Sequence, residues 1–136
     1  MGAAESKAAV RRWLAAMQAG DPSLPELLTD DATWWVPPSS PLGGLYEGKA
    51  EVLKLMSQGI GLYDASVPMR IEIQRMVAED DDVCVQLVLR GRTARGEDYE
   101  NHYHFAFELR GGKICAVKEY VDTLYAQRKL FGEPPE

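Results

Sequence analysis

The chain is short of positive charge: 15 Lys and Arg stand against 21 Asp and Glu, for a formal net charge of −6. Nucleic-acid binders need a basic patch to displace counterions, so that class of partner is set aside. Long apolar runs are missing as well. No stretch approaches membrane-spanning length, and Met1 to Trp13 lacks the apolar core of a signal peptide. A cytoplasmic location with no membrane partner is expected. Cysteine is scarce, with only Cys84 and Cys115. Both sit in apolar strand patterns, away from other ligand types at metal spacing, and read as free thiols in a reducing compartment.

What is present is ordinary for a soluble globular protein: 46% hydrophobic and 26% charged residues. A length of 136 residues fits one domain, 1–136, with a core of its own. Ser6 to Ala19 carries Val10, Trp13, Leu14 and Met17 on one helical face, with Gly20 placed to end it. Leu24 to Leu28 reads as a short second helix and Ala32 to Val36 as a brief strand. Pro37, Pro38, Pro41, Gly43 and Gly44 make the next segment a loop. Gly48 opens a third helix to about Ile60.

From there the pattern is strand. Val67, Met69, Ile71, Ile73 and Val77 alternate with polar residues, Asp80-Asp81-Asp82 reads as a solvated hairpin tip, and Val83 to Arg92 follows. Tyr99, Asn101, Tyr103, Phe105, Phe107 and Leu109 then alternate with Glu100, His102, His104, Ala106, Glu108 and Arg110, a period of two. Gly111-Gly112 supplies a two-residue hairpin turn, and Lys113 to Val121 runs back. Thr123 to Phe131 reads as a closing helix, and Gly132-Glu133-Pro134-Pro135 as a frayed tail. Helices first and a long meander after predict an α+β fold, a curved mixed or antiparallel sheet wrapped around the N-terminal helices.

These elements, with Leu27-Leu28-Thr29-Asp30-Asp31-Ala32-Thr33-Trp34, Pro41-Leu42-Gly43-Gly44-Leu45-Tyr46-Glu47-Gly48-Lys49, Gly112-Lys113-Ile114 and Glu119-Tyr120-Val121-Asp122, resemble the nuclear transport factor 2-like fold. Within it the chain is most similar to the SnoaL-like, ketosteroid-isomerase-related branch. The resemblance implies a conical pocket between sheet and helices, and a homodimer through the outer face of the sheet. It also separates activities. Steroid isomerases carry a base Asp where this chain has Val36, and a phenol where it has Trp13. Limonene-epoxide-hydrolase relatives need an Arg-x-Asp pair where Gln86 and Val88 stand.

The Asp of SnoaL-like aldol cyclases matches Asp122, which the resemblance makes the candidate general base. Burial would have to raise its pKa from about 3.9. Asn101 and Tyr103, two apart on one strand face, are the candidate donors to a developing enolate oxygen. Trp34, Trp13, Met17, Phe105, Tyr120 and Tyr46 are the expected substrate-binding residues, with Tyr63 near the mouth. Trp34 and Trp35 alternate, and the motif match turns Trp34 inward. Asp122 has a rival role as the N-cap of the helix from Thr123. Strict alternation also puts Lys118 on the Asp122 side and Glu119 on the other, unless the strand is bulged.

Glu100-x-His102-x-His104 invites a metal reading, but that face lies opposite the inferred pocket and lacks a fourth ligand, so no metal is expected. The expectation is a cofactor-independent acid–base enzyme acting on a small hydrophobic carbonyl compound, by cyclisation, isomerisation or dehydration. The alternative is a non-catalytic small-ligand-binding or dimerisation module of the same fold.

Overall fold

A computed structural model describes residues 1–132. Helix α1 (Ala3–Ala19) leads through a 3-10 turn (Leu24–Leu27) into strand β1 (Leu28–Val36) and the short strand β2 (Gly44–Glu47). Helix α2 (Lys49–Ile60) follows, then β3 (Arg70–Glu79), β4 (Asp82–Arg92), β5 (Asp98–Arg110), β6 (Lys113–Val121) and helix α3 (Thr123–Lys129). The strands form one six-stranded sheet in the order β2-β1-β6-β5-β4-β3. β1 runs parallel to β6, and every other neighbouring pair is antiparallel. The sheet is therefore mixed and the fold α+β.

The N-terminal helix ends where the sequence predicts. Gly20 adopts φ 65, and its N–H meets the carbonyls of Ala16 and Met17, a left-handed cap that a side chain would strain. The turn between β5 and β6 uses Gly111 and Gly112 at φ 60 and 79. Both positive angles are what a type I′ hairpin requires.

Three differences from the sequence reading have local causes. The Pro-Gly loop is shorter than expected because Gly44 to Glu47 pairs with Thr33 to Val36 as an edge strand. Gly43 closes the turn before it: a Cβ there would stand 2.4 Å from the Pro37 carbonyl oxygen, so only glycine fits. A bulge at Gln74, where the register passes from Ile73↔Leu87 to Arg75↔Gln86, reverses the face of the rest of β3. Ile71 and Ile73 share the face of Leu89 and Leu87, whereas Val77 lies on the outer face and is 47% exposed. The third is the start of β3: Val67 and Met69 precede the strand rather than open it. The tail residues Glu133, Pro134 and Pro135 lie outside the described residues.

α1 packs on β3 and β4, α2 on β1 and β2, and α3 on β5. The inner face of β5 supplies Tyr99, Phe105, Phe107 and Leu109 to the core, and β4 supplies Val83, Val85, Leu87 and Leu89. Trp13 and Val10 of α1 reach zero exposure against them. Ser6, also fully buried, donates to the Asp80 carbonyl at 2.5 Å and pins the β3–β4 turn to the first helix. No described helix is long and apolar enough to cross a membrane.

Candidate functional site

Between the helices and the inner face of the sheet lies a cavity of about 160 Å³. A buried cavity of similar size, about 150 Å³, accommodates benzene. Its walls come from α1 (Met17), α2 (Leu55, Met56, Ile60), β1 (Trp34, Val36), β5 (Tyr103, Phe105), β6 (Glu119, Val121) and the start and end of α3. Leu42 and Ser40 of the Pro-Gly loop close one side. Among the described lining residues Glu119 is the one carboxylic acid, and no Lys, Arg or His joins it.

Glu119 faces inward because β6 is bulged. Glu108 pairs with Ala116 and Leu109 with Ile114, so Cys115 is the extra residue. Ile114 packs in the core before the bulge, and Val117, Glu119 and Val121 face inward after it. Glu119 sits opposite Phe105 on β5, and Tyr103 opposite Val121, which sets the acid and the phenol diagonally across one strand pair. Trp34 Nε1 donates to Glu119 Oε1 at 3.2 Å. Burial among apolar side chains raises the Glu119 pKa from 4.5 to about 7, and the indole bond works in the opposite direction without cancelling it. At neutral pH this acid is about half ionised. It can take a proton or give one.

Phenols occupy another part of the wall. Tyr103 and Tyr63 line the cavity, and Tyr99 lies behind them with its hydroxyl 2.9 Å from that of Tyr103. Burial holds all three phenols above their usual pKa, so they are neutral donors at physiological pH. The ring of Tyr103 stacks on Phe105 at 5.6 Å, and Trp34 meets Phe105 edge-on at 5.9 Å. These contacts hold the polar tips in place.

The structure gathers Tyr103, Trp34, Met17 and Phe105 around the cavity, with Tyr63. It places five other expected residues elsewhere. Asp122 is exposed, because Val121 takes the inward position beside it; its Oδ1 accepts the Tyr125 backbone N–H at 3.1 Å and caps α3. Asn101 is 2% exposed behind the wall, bonded to Tyr99 and to the Asp122 carbonyl. Trp13 is buried behind Trp34, ring centroids 6.1 Å apart, as plain core. Tyr120 follows Glu119 onto the outer face, 47% exposed, against Trp35. Tyr46 bonds to the Leu42 carbonyl at 2.7 Å, so it steadies the loop that lines the cavity without lining it itself.

Glu119 is the residue that the sequence reading missed. Its signal was the apolar-acid-apolar alternation Val117, Glu119, Val121, counted from a core valine rather than from Asp122. Among the described residues no cluster of three His, Cys, Asp or Glu side chains is arranged to hold a metal.

Asp122→Ala therefore removes a helix cap and leaves the cavity intact. The expected loss is about 1 kcal/mol of unfolding free energy. A urea titration gives that loss, and NMR of Glu119 should show an unchanged titration midpoint. A moved midpoint would return Asp122 to the site.

The fold is that of NTF2-like proteins. An NTF2-like protein from Burkholderia xenovorans LB400 superposes with a TM-score of 0.76 at 27% identity, covering 96% of this chain and 98% of that one. A protein of Jannaschia sp. CCS1 described as a SnoaL-like polyketide cyclase gives 0.81 at 14% identity, over 97% and 95%. TerC, co-crystallised with polyporic acid, gives 0.79 at 19%, over 95% and 99%. No curated protein matches the chain. The SnoaL-like domain family matches residues 10–117, and the chain belongs to that family.

Proposed function

We propose that this protein is a cofactor-independent acid–base enzyme acting on a small, largely apolar carbonyl compound, with Glu119 as the proton-transfer group. One observation carries the reading: among the described lining residues a single carboxyl group, with a pKa of about 7, stands in a largely apolar cavity that also holds phenolic donors. A general base works best when its pKa lies near the operating pH. The ionised Glu119 takes a proton from the carbon beside the carbonyl. The C–H electron pair becomes the enolate double bond, and the charge that develops on oxygen is met by the phenols of Tyr103 and Tyr63. Return of the proton to a different atom is isomerisation; attack of the enolate carbon on a second carbonyl is cyclisation. The family and the fold of a SnoaL-like polyketide cyclase support this chemistry, and TerC supports a small organic ligand in such a fold.

The test does not need the natural substrate. Small ketones incubated with the protein in deuterium oxide should exchange their α-hydrogens faster than in buffer, and Glu119→Gln should remove the acceleration. Binding of the same ketones without exchange would leave a ligand-binding module, which uses the same cavity without proton transfer.

A homodimer belongs to the same proposal. The outer face carries Leu45 opposite Trp35 and Tyr120 against Trp35, with Leu45 and Tyr120 each about half exposed. Such a patch is larger than singly scattered apolar residues. Light scattering should give twice the 15.1 kDa chain mass, and Leu45→Asp with Tyr120→Asp should halve it. A monomeric wild type would remove the dimer from the proposal.

A further inference from the structure

The cavity's phenols are joined to a buried amide that is itself anchored to backbone. We infer that Asn101 orients the hydroxyls of Tyr99 and Tyr103 into a one-way hydrogen-bond relay that presents a donor to the cavity and so selects ligands bearing an acceptor oxygen. The inference rests on the cavity being the ligand site, as proposed above.

The orientation follows from groups that have only one role. The His102 backbone N–H can only donate, and it meets Asn101 Oδ1 at 2.8 Å. The Asp122 carbonyl can only accept, and it meets Asn101 Nδ2 at 3.1 Å. These two contacts fix which end of the Asn101 amide is nitrogen. That nitrogen is also 2.8 Å from the Tyr99 hydroxyl, so the Tyr99 oxygen accepts.

Tyr99 then has its own proton to place. Its other partner is the Tyr103 hydroxyl at 2.9 Å, where distance alone allows either direction. Were Tyr103 the donor, the Tyr99 proton behind the wall would have no acceptor among the described residues, at a penalty of about 1–3 kcal/mol, whereas a Tyr103 proton at the cavity wall is open to water or a ligand. Tyr99 therefore donates to Tyr103. Tyr103 lines the cavity, so its own O–H is left to face a ligand there. Burial raises the pKa of these phenols, which keeps every proton in the chain in place.

A ligand with a carbonyl or ether oxygen at that wall completes the relay. A hydrocarbon of the same shape leaves a buried donor unpaired, which is how such sites discriminate. Asn101 touches no ligand. It is a positioning residue.

The test compares acetophenone with ethylbenzene, similar in shape and different in the carbonyl, by NMR titration and by the infrared carbonyl frequency of bound acetophenone. Wild type should lower that frequency below its value in hexane. Tyr99→Phe removes one oxygen from the relay; it should weaken acetophenone by about threefold to tenfold, leave ethylbenzene unchanged, and move the frequency back up. Asn101→Leu should give the same signature, and should it not fold, Tyr99→Phe carries the test alone. A folded variant that matches wild type, or one that weakens both probes equally, overturns the relay. Glu119→Gln separates this inference from the catalytic reading, since it should abolish exchange while keeping the lowered frequency. If wild type binds neither probe, the ligand site and the relay fall together.

Discussion

Glu119→Gln should make the protein more stable at pH 8 by about 2–3 kcal/mol and leave it nearly unchanged at pH 4. The carboxyl group has a pKa of about 7 when folded, against 4.5 when free of the fold. Below 4.5 it is protonated in both states and contributes no pH dependence. Between 4.5 and about 7 the folded chain holds a proton that the unfolded chain has released, so rising pH favours unfolding. Above about 7 the loss is complete, on the order of 3 kcal/mol, lowered by the partial exposure of the Glu119 side chain. Glutamine keeps the shape and the acceptor for Trp34 Nε1 but has no proton to lose. Thermal melts of the two proteins across pH 4–9 should therefore converge at low pH and separate by about 10 °C above neutrality. Asp21, Asp31 and Asp64 have pKa values lowered by neighbouring hydrogen bonds, mainly from Ser23, Arg110 and Ser66 respectively. They titrate below this window and are common to both proteins, so they cancel. Parallel curves would mean that Glu119 is solvated, and the acid–base proposal would lose its base.

The same residue shows where sequence reasoning stopped. The β5–β6 hairpin was legible because its signals are local: an unbroken period of two, then two glycines that accept positive φ. β6 was legible in extent, Lys113 to Val121, but not in phase. The bulge at Cys115 reverses which residues face inward, and no residue type announces it. The alternation already set Glu119 opposite Asp122; choosing between them required knowing which side the core lay on. Val117 gives that answer once its 1% exposure is known. The short strand β2 was hidden for a related reason, since an edge strand is stabilised by pairing with Trp34 and Trp35 rather than by its own pattern. The expected residues that line the cavity, Trp34, Tyr103, Phe105 and Met17, are large side chains on faces that the alternation or helical period does fix. Asn101 was placed on the right face, yet its depth and its partners depend on the β6–α3 junction, which is remote in sequence.

Trp34→Phe should raise the Glu119 midpoint above 7 by about one pH unit and reduce stability by about 2 kcal/mol. Two separate causes act. The indole N–H is the hydrogen bond that favours the ionised carboxylate, so its removal favours the protonated acid. The smaller ring also leaves space beside Trp13 and Phe105, whose ring centroids lie 6.1 and 5.9 Å from that of Trp34. Trp13→Phe is the control that separates them. It shrinks a neighbouring ring at zero exposure, but its Nε1 has no acceptor among the described residues. That variant should lose packing, recover part of it by removing an unpaired buried donor, and leave the Glu119 midpoint where it was. NMR titration of labelled glutamate carboxyls in the two variants reads the difference directly. If both variants move the midpoint alike, the indole bond is not what tunes Glu119 and cavity hydration is. If only Trp34→Phe moves it, α-hydrogen exchange should follow, its pH optimum shifted upward with the carboxyl group.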